Sequence, residues 1–209
     1  MTAETDLKVG SAAANDHVTR PEIAFISGPI NSGPNEVYFH THYAPRIQQA
    51  IEKGHEFVIG PIPSGIDADA LDYLLAYPVA PGRITIFVTP AEEATFGPRF
   101  RALSVNLQVV ESQMTQERDA AMTQASTYDI LRVRTTEEAR VFYGGMARLG
   151  YVTNTERNWR RRRGIAENLL ITAEEINCSI EYPASEVLSS PEKKQGALEQ
   201  LKQALKRRR

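Results

Sequence analysis

Short apolar runs recur along this chain, separated by longer stretches in which apolar residues fall three and four positions apart. That alternation predicts strands joined by helices. The run Ile23, Ala24, Phe25, Ile26 is too short for a helix and apolar on both faces, as a central strand of a parallel sheet requires. Further strands are predicted over 56–59, 83–88, 107–110 and 128–133, with a short sixth over 151–153. A helix is predicted from Asn35 as N-cap, with Val37, Phe39, Tyr43, Ile47, Ala50 and Ile51 on its apolar face, restarting at Pro45 and ended by Gly54. A second starts at Asp67 and turns Ala70, Leu71, Leu74 and Leu75 inward. Others are expected over 113–125, from an N-cap at Thr136 as far as Leu149, and over 158–177 with Ile165, Leu169, Leu170 and Ile176 packing. The section opened by Thr89-Pro90 carries no regular pattern. Strands and helices in this order give βαβ units with right-handed crossovers, hence an α/β protein with a mostly parallel sheet of five or six strands covered on both faces.

With 209 residues and 42% hydrophobic composition, the chain can bury one full core, expected over 21–180. Residues 1–20 are small, polar and unperiodic, and read as a disordered tail. In 181–209, Ser190, Pro191 and Glu192 suit an N-cap, N1 and first-turn acid, and Leu198, Leu201 and Leu205 form a narrow stripe ahead of the terminal arginines. Two readings of this basic helix are open: a terminal helix docked on the domain or fraying from it, or a nuclear-import or nucleic-acid role. A net charge of -2 and a pI near 6.1 give no global attraction to nucleic acid. One cysteine excludes an intrachain disulfide and fits a reducing compartment. No apolar run reaches membrane-span length and 1–20 lacks a secretory core, so a cytoplasmic protein with no membrane partner is expected.

The candidate chemistry gathers at strand ends. The first strand runs into Ser27, Gly28, Pro29, Ile30 and Asn31, and the second into a turn that contains Gly60, Gly65 and Asp67. Glycine and proline are what tight connections need, but two such turns at adjacent carboxyl ends predict a crevice into which unpaired backbone N–H groups point. Asp67 is either a helix cap or a holder of a ribose hydroxyl. Arg118 and Asp119 form an exposed helical ion pair, or Arg118 turns to the crevice as a phosphate partner. Glu137 and Glu138 suit the first turn of a helix. They also follow a strand at the same rim, where a carboxylate can act as nucleophile or acid at an anomeric carbon. Thr135 beside them is a candidate ligand contact. His40 and His42 lack an Asp or Cys at matching spacing, so no metal site is expected. The arginines around Trp159 are a solvated or ion-paired helix face, or a phosphate-binding rim.

The segment FISGPINSGPNEVYFHTHYAPRIQQAIEKGHEFVIGP resembles the opening of the nucleoside 2-deoxyribosyltransferases. VIGPIPSGIDADALDYLL and ERDAAMTQASTYDILRV resemble the glycine-x-Asp turn and the Arg-bearing helix of the SLOG superfamily, which includes the lonely-guy phosphoribohydrolases and the DNA processing protein A family. The likeness spans about 22–153. It implies a Rossmann-like three-layer α/β/α fold, a nucleotide or nucleoside ligand, and cleavage or exchange of an N-glycosidic bond without metal or cofactor. The alternative within the same superfamily is a non-catalytic sensor of a nucleotide-derived ligand. Sites in the related enzymes are often completed by a neighbouring subunit, which implies a homodimer. Two departures stand out. Phe142 precedes Gly144 where those transferases carry a catalytic glutamate, and RVRTTEEA replaces the phosphoribohydrolases' Gly-Gly-x-Gly-Thr turn.

Overall fold

The computed structural model describes residues 21–77, 79–146 and 150–181. The expected tail over 1–20 and the expected basic helix of the C-terminal segment lie outside the described residues, apart from the backbone of Glu181. Five strands, β1 (Ile23–Ser27), β2 (Glu56–Ile59), β3 (Ile84–Val88), β4 (Asn106–Val109) and β5 (Tyr128–Leu131), form one all-parallel sheet in the order β4-β3-β2-β1-β5. The register pairs Phe25 with Val58 on one side and with Asp129 on the other. The fold is Rossmann-like, with three layers. The chain steps outward from β1 through β2 and β3 to β4, then returns past β1 to lay down β5. The order therefore reverses between β1 and β5, where open α/β sheets form their ligand crevice.

Alternation along each strand divides the core. Ala24, Ile26, Phe57, Ile59, Ile84, Ile86 and Val88 face one layer with α1 (Val37–His42), α2 (Ala44–Glu52), α3 (Ile66–Ala76) and α4 (Pro90–Ala102). Phe25, Val58 and Phe87 face the other layer and pack on Met122 of α5 (Thr115–Ala125). Leu131 on that second face packs with Trp159 of α7 (Asn154–Arg163) and Ile176 of α8 (Ala173–Glu181). Each such aromatic or aliphatic side chain contributes about 1.5–3 kcal/mol of transfer free energy. β5 is an edge strand, and its outer side is closed by side chains. Arg46 donates to the Leu131 and Asp129 carbonyls at 2.9 and 3.0 Å, while Asn177 accepts from the Val133 N–H and donates to its carbonyl at 3.0 and 2.8 Å.

Several boundaries differ from the sequence reading, each for a local reason. Thr89-Pro90 opens a full helix, α4: Thr89 Oγ1 accepts from the Glu92 N–H and Glu92 Oε2 accepts from the Thr89 N–H, a capping box with Pro at the first position. Asn35 is no N-cap. Asn35 and Glu36 both adopt left-handed backbone inside a 3₁₀ turn, and Val37, the first residue of α1, is 59% exposed. Pro45 does restart the chain as α2. The helix from the second turn begins at Ile66, and Asp67 lies within its first turn rather than capping it. The cap of α6 (Thr136–Tyr143) is Thr135, one residue earlier than Thr136, and the helix stops at Gly144 well short of 149. Residues 151–153 form no strand; Thr153 caps α7 instead. The helix expected over 158–177 is two helices broken at left-handed Gly164, and Leu169 and Leu170, between them, are exposed. Among the described residues no helix is long and apolar enough to cross a membrane.

Candidate functional site

A small cleft opens at the carboxyl ends of β1 and β2. Its walls are the Ser27 to Ile30 turn, the Gly60 to Asp67 turn, Arg118 and Asp119 of α5, and Asn154 and Asn158 of α7. About 70 Å³ is open to water-sized molecules, roughly five waters' worth. That is the scale of one sugar ring, with the rest of a larger ligand outside.

The two turns interlock. Gly28 lies so close to Ile66 and Tyr43 that a Cβ there would fall 2.6 Å from the Tyr43 hydroxyl. Gly65, with φ +66, packs against the Pro29 and Ile30 backbone where any side chain would overlap. The Ile66 N–H donates to the Pro29 carbonyl at 3.1 Å. Beneath them the buried Tyr43 hydroxyl accepts from the Arg132 N–H at 3.0 Å and lies 3.1 Å from the Ser27 carbonyl, to which it donates. It ties the ends of β1 and β5 together at the switch point. Burial pushes its phenol well above the ordinary range, so it remains a neutral donor.

Ser27 Oγ accepts from the Asn158 amide at 3.0 Å, which leaves its own proton to donate into the cleft. Asn158 is held in turn by Arg161, which donates to its Oδ1 at 2.8 Å. Opposite, the Asp67 carboxyl sits against Gly60, whose missing side chain is what makes room for it. Burial pushes Asp67 up to about 7, against the nearby Arg118 charge and a hydrogen bond from the Ile62 N–H, with Asp119 and Glu92 adding to the rise. Near neutral pH this carboxyl both donates and accepts.

Arg118 is buried and lines the cleft, not the exposed surface partner of a helical ion pair. Each nitrogen of its guanidinium donates to a carboxylate: Nε and Nη2 to Asp119 Oδ1 at 3.1 and 2.7 Å, and Nη1 to Glu92.

Of the residues singled out from sequence, Ser27, Gly28, Pro29, Ile30, Asp67 and Arg118 line the cleft, and Gly65 shapes it from behind. Asn31 turns away. Its side chain accepts from the Gly33 N–H at 2.9 Å and its carbonyl accepts from Arg134 at 2.7 Å. Thr135, Glu137 and Glu138 do not line the cleft. Glu138 and Arg132 share two 2.7 Å bonds, and Arg132 also donates to Tyr38 at 2.9 Å. Burial works against the Glu138 charge, but Arg132 and the Thr135 N–H outweigh it and hold the carboxyl below its ordinary value. Glu137 is exposed. Arg134 stacks between Phe142 and Tyr38, 4.0 and 4.5 Å from their ring centres. The arginines around Trp159 are used internally. Arg160 pairs with Glu156, Arg162 with Asp129 and Ser126, and Arg163 lies over the Trp159 ring. Among the described residues no group of His, Cys, Asp and Glu is arranged to hold a metal.

Sequence reasoning missed Glu92, Asn158 and Tyr43. Thr89-Pro-Ala-Glu92 is a capping signature that marks Glu92, whereas Asn158 sits among arginines and Tyr43 in an apolar stripe, with nothing local to mark them. Comparison of the chain with family models, curated proteins and solved structures found no match.

Proposed function

We propose that the protein binds a nucleoside or nucleotide-derived ligand by its sugar in this cleft and acts on the N-glycosidic bond. The observation that carries the reading is Asp67, a carboxyl poised near neutrality in a sugar-sized cleft at the carboxyl rim of a parallel sheet. In this scheme the turn from Ser27 to Ile30 and the Asp67 carboxyl hold the sugar hydroxyls. Water adds to the anomeric carbon as the carbon–nitrogen bond breaks, the bonding electrons leave on the base nitrogen, the proton given up by the water passes by way of the Asp67 carboxyl to that nitrogen, and the carboxyl groups around Arg118 offset the positive charge that develops on the ring. Asp67 is the group able to hold or give a proton there.

The second reading, a non-catalytic sensor, is favoured by one observation. Glu138, the acid first suggested by its place after β5, has both oxygens on Arg132 and stands outside the cleft lining.

One experiment separates them. Nucleosides, nucleotides and ADP-ribose-like compounds are screened by thermal shift, and each mixture is then examined by chromatography for free base. A ligand at 100 times its dissociation constant raises stability by about 2.7 kcal/mol. Stabilisation with base release, lost in Asp67→Asn while binding persists, supports the enzyme. Stabilisation without release supports the sensor. No stabilisation by any compound removes both.

A further inference from the structure

A second hollow lies outside the edge strand β5, between the junction of α1 and α2, the end of β5 and α8, and it shares no lining residue with the cleft. About 170 Å³ of it is open to water-sized molecules, more than twice the opening of the cleft. Its lining is basic and polar at Arg46, Arg132, His42 and Asn177, and apolar at Pro45, Leu131 and Ile180. Among the described residues none that lines it is acidic.

The polar wall is fixed before any ligand arrives. Arg46 donates to the Leu131 and Asp129 carbonyls, neutral partners that hold the guanidinium in place without cancelling its charge. Asp129 turns its own carboxyl to Arg162 of α7. Asn177 is held at both ends of its amide by Val133. Arg132 is held differently, with both terminal nitrogens on Glu138 at 2.7 Å. A wall already ordered in this way costs little further entropy on binding.

We infer that this hollow is a binding site for a small monocarboxylate with an apolar tail, its carboxylate on Arg46 and its tail against Pro45, Leu131 and Ile180. The planar guanidinium matches a carboxylate in shape as well as charge. A single negative charge fits best, because a second would compete with Glu138 for Arg132. His42 strengthens the attraction when protonated. The room amounts to about twelve waters' worth, which accepts a carboxylate carrying a tail of about five carbons. The assignment is independent of the sugar-binding reading, since none of these residues belongs to the cleft.

Thr41 gives a way to alter the site without touching the residues that seal β5. It is exposed, lines the hollow, and uses its hydroxyl only to donate back to the Val37 carbonyl within α1. Glutamate suits a helix as well as threonine does, so Thr41→Glu adds a carboxyl at the mouth and leaves the fold alone.

The test is calorimetric titration of the full chain, at fixed ionic strength, with hexanoate, with its neutral amide hexanamide and with inorganic phosphate, repeated on Thr41→Glu. In the wild type hexanoate should bind about tenfold or more tightly than hexanamide, and phosphate more weakly than hexanoate. In Thr41→Glu the hexanoate affinity should fall about fivefold or more, with circular dichroism unchanged. No binding of hexanoate, or binding no tighter than that of hexanamide, overturns the inference. Tighter binding of phosphate than of hexanoate overturns the carboxylate class. An unchanged hexanoate affinity in folded Thr41→Glu places the acid elsewhere and overturns the assignment to this hollow. The three wild-type titrations decide the ligand class even if the variant does not fold.

Discussion

The Asn158 amide donates to Ser27 Oγ at 3.0 Å and joins the last residue of the first strand to a helix 131 positions later in the chain. Asn158→Ala leaves the buried Ser27 hydroxyl and one Arg161 donor without their partner. The expected cost is about 1–3 kcal/mol, read from the urea midpoint. Ligand-induced stabilisation should fall as well, because the wall that orients Ser27 is gone.

Asp67 gives the protein a pH dependence of definite sign. Its carboxyl is raised from 3.8 to about 7 on folding, so between those values the folded form holds a proton that the unfolded chain has released. Stability therefore declines as pH rises through this interval and levels off above it. Asp67→Asn removes the decline. Its advantage over the wild type should be small at pH 4 and reach about 4 kcal/mol by pH 8, measured by urea unfolding at both pH values.

Glu138 has the opposite sign. Its folded value is lowered, so its contribution is present above the ordinary carboxyl range, whose reference value is 4.5, and is lost as pH falls through the folded value. Glu138→Gln keeps the capping box with Thr135 but should abolish this acid-side dependence, whereas Thr135→Ala should cost about 1 kcal/mol at neutral pH. Base release, if present, should persist in Glu137→Gln and Glu138→Gln, since neither lines the cleft. Loss of turnover with retained binding in either would return the chemistry to α6.

Gly60→Ala places a methyl group where the Asp67 carboxylate lies. The expected result is displacement of Asp67 from the cleft, a destabilisation of about 1–3 kcal/mol and loss of ligand response. Retention of the Asp67 pH signature in this variant would show that the carboxyl has room elsewhere.

Asn177→Ala uncovers the Val133 N–H and carbonyl on the outer side of the edge segment. A cost of about 1–3 kcal/mol is expected, together with concentration-dependent association visible by light scattering, because an open edge accepts another strand.

The sheet was legible because its strands are short, doubly apolar and punctuated. The stretches 23–26, 56–59, 83–88, 107–110 and 128–133 each match an observed strand to within two residues at either end. Tyr151-Val152-Thr153 looked like a sixth from β-branched and aromatic composition alone, but no neighbour pairs with it and Thr153 is a helix cap. Helix α4 was hidden by Gly97-Pro98, which reads as a stop. In the fold Gly97 is buried beside Glu93 and Arg101, and Pro98 sits on the exposed face without ending the helix. The cleft was half legible. Glycine turns announce themselves locally, and so Ser27 to Ile30 and Asp67 could be found. Arg118 and Asp119 are neighbours and could be paired from sequence, but Glu92 reaches Arg118 only because the connections after β3 and β4 converge on one rim, a long-range fact with no local trace.

The placement of β5 beside β1 also dictates an order of assembly. β1 through β4 lie within residues 23–109, and right-handed crossovers can stack them as synthesis proceeds. During that interval β1, apolar at four of its five positions, is an outer strand with one side uncovered, and the partner that covers it arrives only with residues 128–131. A nascent chain held at α5 thus presents a bare, sticky margin to other nascent chains and to chaperones. Arg46 is made early and waits for the same arrival, for only then do the Asp129 and Leu131 carbonyls it seals come into existence.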